Sequence, residues 1–308
     1  MSTHVDLSVR IGSLELQNPV MTASGTFASG REFAQFVDLA RLGAIVTKGV
    51  SSEPWLGNAS PRVAETASGM LNSIGLQNPG VEAFIENDLA WLAENASGTP
   101  IVVNVSGHSV DDYVSVIRRL EDEPAVSAYE VNISCPNVDQ GGMAFGTDCA
   151  SAARVTEACR SATGRTLIVK LSPNVTDIVS IARSVEDSGA DAVSLINTLL
   201  GMAIDASTRK PKLARVVGGL SGPAIKPIAL RMVWQVSSAV SIPVIGMGGV
   251  SDGVDAVEFM LAGATAVAVG TANFVDPTSA IRVLDGIAEY CREHGIGRVT
   301  ELVGALER

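Results

Sequence analysis

The 308-residue sequence contains no block of five or six consecutive cations, and 33 Asp and Glu outnumber 22 Lys and Arg, giving a formal charge of −11. An acidic chain of this kind is not suited to non-specific contact with nucleic acid or an anionic membrane surface. A locally basic pocket for a small anion remains compatible with it. Cysteine is scarce: Cys135, Cys149, Cys159 and Cys291 are the four, and no two form a C-x-x-C pair. The chain therefore carries no iron–sulfur or zinc signature of its own. No run of about 18 uncharged apolar residues occurs, so no spanning helix is expected. The opening MSTHVDLSVRIG lacks a basic segment followed by an apolar core, so no signal peptide is expected. These absences point to a reduced, cytoplasmic protein with neither a nucleic-acid nor a membrane partner.

Apolar material is plentiful. Hydrophobic residues make up 46% and charged residues 18%, a composition that supplies a large core and is far from that of a disordered chain. The segment from Val5 to Ile11 alternates apolar and polar residues, turns at Gly12 and Ser13, and resumes as Leu14-Glu15-Leu16. That reads as a β-hairpin with one buried face. Eight short apolar runs follow, at 19–23, 44–47, 101–105, 129–133, 167–171, 192–196, 243–247 and 266–270. Unbroken β-branched runs suit strands buried on both faces, as in parallel sheets.

Stretches of helical period separate these runs. From Pro223 one face gathers Ile225, Ile228, Ala229, Met232, Val233 and Val236. Another gathers Ile178, Ile181, Ala182 and Val185 and ends near Gly189. Eight strand-then-helix units predict an α/β fold, a (β/α)8 TIM barrel with an N-terminal β-hairpin. A doubly wound open sheet is the alternative. Two connections, about 50–80 and 198–221, are too long for turns. Each follows a strand, so both are expected to lie over the C-terminal face, where barrels keep their active sites. No repeat, low-complexity tract or linker interrupts the chain, and residues 1–308 read as a single domain.

The strand tips give a coherent set of polar residues: Ser24-Gly25, Lys48-Gly49, Asn104, Asn132, Lys170, Asn197-Thr198, Gly248-Gly249 and Gly270-Thr271. Lys48 and Lys170 lie in strand-like apolar sequence, where an unpaired ammonium is costly. Because the neighbouring tips are mostly Asn, Ser and Thr, a ligand anion is expected to pair with them rather than an internal carboxylate. The last two tips are Gly-rich and each precedes a helix, an arrangement that binds phosphate, although ordinary turn glycines would look similar. Asn72, Asn104, Asn132, Asn137 and Asn197 both donate and accept, as a planar ring with alternating N–H and C=O groups requires, or they simply form turns. Cys135 follows a strand and lies beside the Gly-rich stretch 141–146, a candidate lid. It reads either as a nucleophile or general base, or as an inert thiol. Cys149, Cys159 and Cys291 fall on helical segments and read as core; of the three histidines only His108 lies near a strand end, and it reads as surface.

The segments NPVMTASGTF, GAIVTKGV, SGMLNSIGLQNPG, VNISCPNV, VKLSPNV, LINTLLGMAID, GGLSGPAIKPIAL, IPVIGMGGV and AVAVGTANF together resemble the class 1 dihydroorotate dehydrogenases over nearly the whole chain. Thr47-Lys48-Gly49, LNSIGLQNPG and INTLLGMAID resemble the 1B subclass. The resemblance implies oxidation of dihydroorotate to orotate in pyrimidine synthesis, with one FMN per chain. It also implies a homodimer, joined in a heterotetramer by a partner subunit that carries FAD and a [2Fe–2S] cluster and passes electrons to NAD+. In that family's terms Cys135 is the base that takes the C5 proton, and Lys48 contacts both flavin and substrate. Asn72, Ser73, Ile74, Gly75, Leu76, Asn132, Asn137, Asn197 and Thr198 hold orotate. Ser24, Gly25, Gly49, Asn104, Asn132 and Ile196 line the flavin, Lys170 lies near its N1/O2 edge, and Gly222, Gly248, Gly249, Gly270 and Thr271 surround its phosphate.

Other readings stay open on the sequence. A dihydropyrimidine dehydrogenase shares the barrel and the cysteine loop, and differs in that its ring lacks the carboxylate LNSIG is expected to bind. A phosphate-binding lyase or isomerase would use Lys48 or Lys170 as a Schiff base, which borohydride would trap. A scaffold without activity would leave the polar strand tips without ligands.

Overall fold

The computed structural model describes residues 5–96, 98–134 and 145–307. The predicted hairpin is present: β1 (Val9–Ile11) and β2 (Leu14–Leu16) pair antiparallel, with Ile11 opposite Leu14. Val9 and Ile11 are buried and Arg10 is exposed, as the alternation requires. Gly12 turns the chain at φ 59°, and Ser13 N donates to Thr166 Oγ1 at 3.1 Å.

Along the chain follow β3 (Val20–Thr22), β4 (Ile45–Val46), β5 (Val63–Thr66) and β6 (Gly69–Asn72). Next come β7 (Ile101–Val105), β8 (Val126–Asn132), β9 (Thr166–Lys170) and β10 (Ala192–Leu195). The last are β11 (Leu199–Met202), β12 (Ile204–Asp205), β13 (Lys210–Pro211), β14 (Val217–Ser221), β15 (Val244–Met247) and β16 (Ala266–Val269).

The eight apolar runs are β3, β4, β7, β8, β9, β10, β15 and β16. They form one parallel sheet in which chain neighbours are sheet neighbours, and β16 returns beside β3. A parallel bridge between Met21 and Ala44 joins β3 to β4 and closes the ring. Thr22 Oγ1 reinforces that seam by accepting from Val46 N at 2.9 Å. The open-sheet alternative is thereby set aside. Every residue of β7 and β9 is buried, which accounts for runs without polar alternation. Each fully buried aliphatic side chain adds about 1.5–3 kcal/mol relative to exposure.

Helices follow the strands and cover the outside. The helix Val110–Leu120 opens on a capping box in which Ser109 and Asp112 satisfy each other's backbone N–H groups. Asp148, Asp177 and Asp252 cap the helices Cys149–Arg160, Ile178–Asp187 and Gly253–Leu261 one way, each carboxylate accepting from backbone N–H groups of the first turn. Ile178, Ile181, Ala182 and Val185 are buried as their spacing predicts. In the helix Lys226–Ser237, Ala229, Met232, Val233 and Val236 are buried, and Ile225 is buried just before it. Ile228 departs from the expectation: it is 37% exposed, because it falls at the edge of that face. No described helix is long and apolar enough to cross a membrane.

The two long connections pair with each other. β5 and β6 form a hairpin in the first, β11 and β14 pair in the second, and β14 also pairs with β6, with Gly219 opposite Asn72. The result is a four-stranded antiparallel sheet, in the order β11-β14-β6-β5, carried by the C-terminal ends of β4 and β10.

Candidate active site

Four adjacent strands carry a buried polar group into the barrel. Asn104 on β7 faces Glu130 on β8, and Lys170 on β9 faces Ser194 on β10. Glu130 Oε2 accepts from Asn104 Nδ2 at 2.6 Å, and Glu130 Oε1 accepts from Ser194 Oγ at 2.7 Å. Lys170 Nζ lies 3.8 Å from Glu130 Oε2 and donates to Ser24 Oγ, just past β3, at 3.4 Å. Glu130 is 2% exposed and Lys170 5%. This corrects the expectation that a ligand anion would take the place of an internal carboxylate for Lys170. Two ionised groups at this depth are tolerable only because each faces the other and the remaining lone pairs are hydrogen-bonded.

Other polar atoms around this layer lack protein partners. Asn104 Oδ1 and Ser106 Oγ are buried without a hydrogen bond. A Cβ on Gly49 would lie 2.9 Å from Ser106 Oγ, 3.0 Å from Asn104 Oδ1 and 3.9 Å from Leu76 Cδ2. Gly49, Asn104, Ser106 and the tip of the first long loop therefore converge on one spot. Lys48 is half-buried beside them, its backbone N–H donating to Ala28 O at 2.8 Å.

The residues expected to hold a substrate ring come together through the second long loop. Asn132 Oδ1 accepts from Ser134 Oγ at 2.8 Å, and Ser134 Oγ accepts from Asn197 Nδ2 at 2.7 Å. Asn197 Oδ1 takes the N–H of Thr198, whose carbonyl accepts from Asn174 Nδ2 at 3.0 Å. A Cβ on Gly219 would lie 2.0 Å from Thr198 Oγ1, so β14 can pass only as glycine. Asn72 sits opposite Gly219 and brings Ser73, Ile74, Gly75 and Leu76 in behind it. Ser73 is buried with its hydroxyl unpaired, and Gly75 and Leu76 both take positive φ, 75° and 52°.

Gly222, Gly248 and Gly249 form a second cluster. All three have positive φ, of 97°, 117° and 91°. A Cβ on Gly249 would meet Lys226 Cβ at 2.8 Å and Gly222 O at 3.0 Å; one on Gly222 would meet Gly69 Cα at 2.8 Å. Ile196 packs against Gly248, and Thr271 Oγ1 donates to Ser221 Oγ at 2.8 Å. Lys226 bridges to Asp255 and Glu258, and Asp255 also accepts from Ser251 N, which ties the loop after β15 to the following helix. Gly25 has open space around it, whereas a Cβ on Gly270 would touch Ala23 Cβ at 3.5 Å and Thr26 Oγ1 at 3.9 Å.

Cys135 and Asn137, and residues 141–144 of the candidate lid at 141–146, lie outside the described residues. Cys159 and Cys291 are buried as expected, whereas Cys149 is only partly buried at the start of its helix. His108 is exposed and lies against Trp55, with ring centroids 4.0 Å apart and the planes tilted by 31°. The sequence reading missed Glu130, Ser194 and Ser106, and it placed Ser134 and Asn174 just past strand tips without giving them a role. Glu130 had a usable signal, since a carboxylate inside an apolar strand calls for a partner as much as a lysine does.

A family model described as dihydroorotate dehydrogenase matches residues 6–291. The chain belongs to the dihydroorotate dehydrogenase family. Among its relatives, a protein of Pelobacter propionicus named dihydroorotate dehydrogenase B (NAD(+)), catalytic subunit, is 58% identical over 302 residues, 98% of this chain and 99% of the relative. A protein of Bacteroides thetaiotaomicron with the same name is 57% identical over 302 residues, again 98% and 99%. A crystal structure of the dihydroorotate dehydrogenase of Eimeria tenella in complex with ferulenol superposes with a TM-score of 0.81, covering 99% of this chain and 89% of that one. At 22% identity, that likeness concerns the fold, and it places the dihydroorotate dehydrogenase barrel on the ring of eight strands described above.

Proposed function

We propose that this chain is the catalytic subunit of an NAD+-linked dihydroorotate dehydrogenase, oxidising (S)-dihydroorotate to orotate for pyrimidine synthesis with FMN bound at the mouth of the barrel. The observation that carries the reading is that Glu130 gathers a buried ammonium, Lys170, and Asn104, whose Oδ1 has no partner, inside a barrel whose loops after β14 and β15 carry positive-φ glycines. These features fit FMN. An uncharged tricyclic ring edge needs donors and acceptors of this kind, and a phosphate needs backbone approached without side chains.

When bound, FMN supplies the acceptor for the C6 hydride. Gly222, Gly248, Gly249, Gly270 and Thr271 hold its phosphate. Ser24, Gly25, Gly49, Asn104, Asn132 and Ile196 line its ring, and Lys170 faces the edge where negative charge develops. Lys48 reaches both flavin and substrate. Asn72, Asn132, Asn137, Asn197, Thr198 and the segment Ser73–Leu76 orient the orotate ring, the backbone of that segment meeting its carboxylate. Cys135 takes the C5 proton, a task for which a thiol needs a pKa near the working pH. A partner subunit carrying FAD and a [2Fe–2S] cluster takes the electrons to NAD+, since no C-x-x-C pair exists here to hold a cluster. The assembly is a cytoplasmic heterotetramer built on a homodimer of this chain.

The test is anaerobic. Protein purified with FMN should be yellow and should bleach on adding dihydroorotate. NAD+ reduction should appear only once the partner subunit is co-expressed. Failure of dihydroorotate to bleach FMN-loaded protein would sink the assignment. Fumarate-linked turnover without a partner would move it to the other soluble subclass.

A further inference from the structure

Glu130 has no place in the scheme above, yet it is the most highly connected buried charge at the site. Its two oxygens accept from Asn104 on one side and Ser194 on the other, with Lys170 Nζ 3.8 Å away. Asn104 and Ser194 are fully buried. Two consequences follow. A carboxylate cannot donate, so the Asn104 amide is locked with Nδ2 towards Glu130; a flip would set Oδ1 against an anion. Asn104 Oδ1 is thereby held as a buried acceptor with no protein donor. Leaving such a group unmatched is destabilising, and a ligand N–H removes that cost. The second consequence concerns charge. Glu130 offsets the ammonium of Lys170, so the field offered to a bound ring is that of a compensated pair and not of a bare cation.

We propose that Glu130 is a positioning residue for the flavin: it fixes Asn104 as an acceptor for a ring N–H, and it moderates Lys170 so as to set the reduction potential of bound FMN. This rests on the FMN reading above. No bond is made or broken at Glu130; it acts through Asn104 and Lys170.

The experiment compares the reduction potential and FMN affinity of the wild-type chain with those of Glu130→Gln and Glu130→Asp. Glu130→Gln removes the negative charge and frees the Asn104 amide to flip. The two-electron reduction equilibrium should shift about tenfold towards the reduced side, about 30 mV, and FMN affinity should fall about tenfold. Glu130→Asp keeps the charge while shortening its reach, so the potential should stay near the wild-type value although affinity falls. An unchanged potential in Glu130→Gln, or an equal shift in Glu130→Asp, overturns the proposal. If Glu130→Gln does not hold FMN, Ser194→Ala decides. Loss of that hydroxyl leaves the carboxylate less neutralised and should shift the equilibrium the other way, towards oxidised FMN; no shift, or a shift towards reduced FMN, overturns the proposal. Wild-type protein that binds no FMN would remove the functional reading itself. Wild-type protein that binds FMN while the variants do not differ from it would remove this inference alone.

Discussion

Asn104 Nδ2 donates to Glu130 Oε2 at 2.6 Å, between two residues that face each other in the β7–β8 register. The contact joins the fold to the site. Parallel pairing sets the two Cα atoms side by side, the pleat turns both side chains to the same face, and the closed ring makes that face the barrel interior. A polar layer there is admissible only if its members satisfy one another. Asn104 Oδ1, an acceptor of this layer without a partner among the described residues, then points to where a ligand belongs.

Replacing Cys135 by alanine removes the group expected to take the C5 proton. General-base catalysis is worth roughly 10²–10⁴-fold, so single-turnover bleaching by dihydroorotate should slow by a factor in that range. The FMN absorbance per chain should not change, because the glycine cradle and Lys170 are intact. A variant that bleaches at the wild-type rate takes the base role away from Cys135.

The two buried thiols, Cys159 and Cys291, should be chemically quiet. Burial pushes the Cys159 thiol up to about 12, and burial together with nearby Glu301 raises that of Cys291. The thiolate is the reactive form, and at neutral pH both sites hold almost none. Iodoacetamide followed by peptide mass mapping should leave Cys159 and Cys291 unlabelled in the native protein and label both in urea. Loss of activity should track labelling of Cys135 and be slowed by orotate. Rapid native labelling of Cys159 would contradict its burial.

The barrel was legible in the sequence because its strands are buried on both faces and read as unbroken runs. All eight runs became barrel strands in chain order. The pairing of β6 with β14 was not legible. The two segments are separated by more than a hundred residues, and each has too short a pattern to name its partner. The site was legible as a set of strand tips. What escaped was Glu130, hidden one pleat below the tips, where the neighbour of Lys170 depends on register and barrel stagger rather than on sequence spacing. Ile228 escaped for a related reason: helical period places it beside the buried face, and only the position of the neighbouring elements shows that the face ends before it.

Gly249→Ala tests the proposed phosphate cradle. The residue sits at φ 91°, and its Cβ would come within 2.8 Å of Lys226 Cβ and 3.0 Å of Gly222 O. A non-glycine residue held in such a conformation costs about 1–3 kcal/mol. Relief of the contact would move the loops after β14 and β15 apart. FMN affinity should therefore fall by at least tenfold, whereas that of riboflavin, which lacks the phosphate, should change much less. Isothermal titration with both ligands separates the outcomes, and an equal loss for both would place the phosphate elsewhere.

Lys170→Met tests whether the Lys170–Glu130 pair is a unit. The single variant leaves Glu130 in a dry interior with Asn104 and Ser194 as donors but no cation. Removing one partner of a buried pair costs about 3–5 kcal/mol, because the surviving charge is desolvated without compensation. Lys170→Met with Glu130→Gln removes both charges, and the new amide can still accept from Ser194 through its carbonyl. Urea unfolding of the FMN-free chain should therefore find the double variant more stable than the Lys170→Met single. The reverse order would mean that Glu130 is not compensated by Lys170, and that the 3.8 Å between them reflects proximity without energetic coupling.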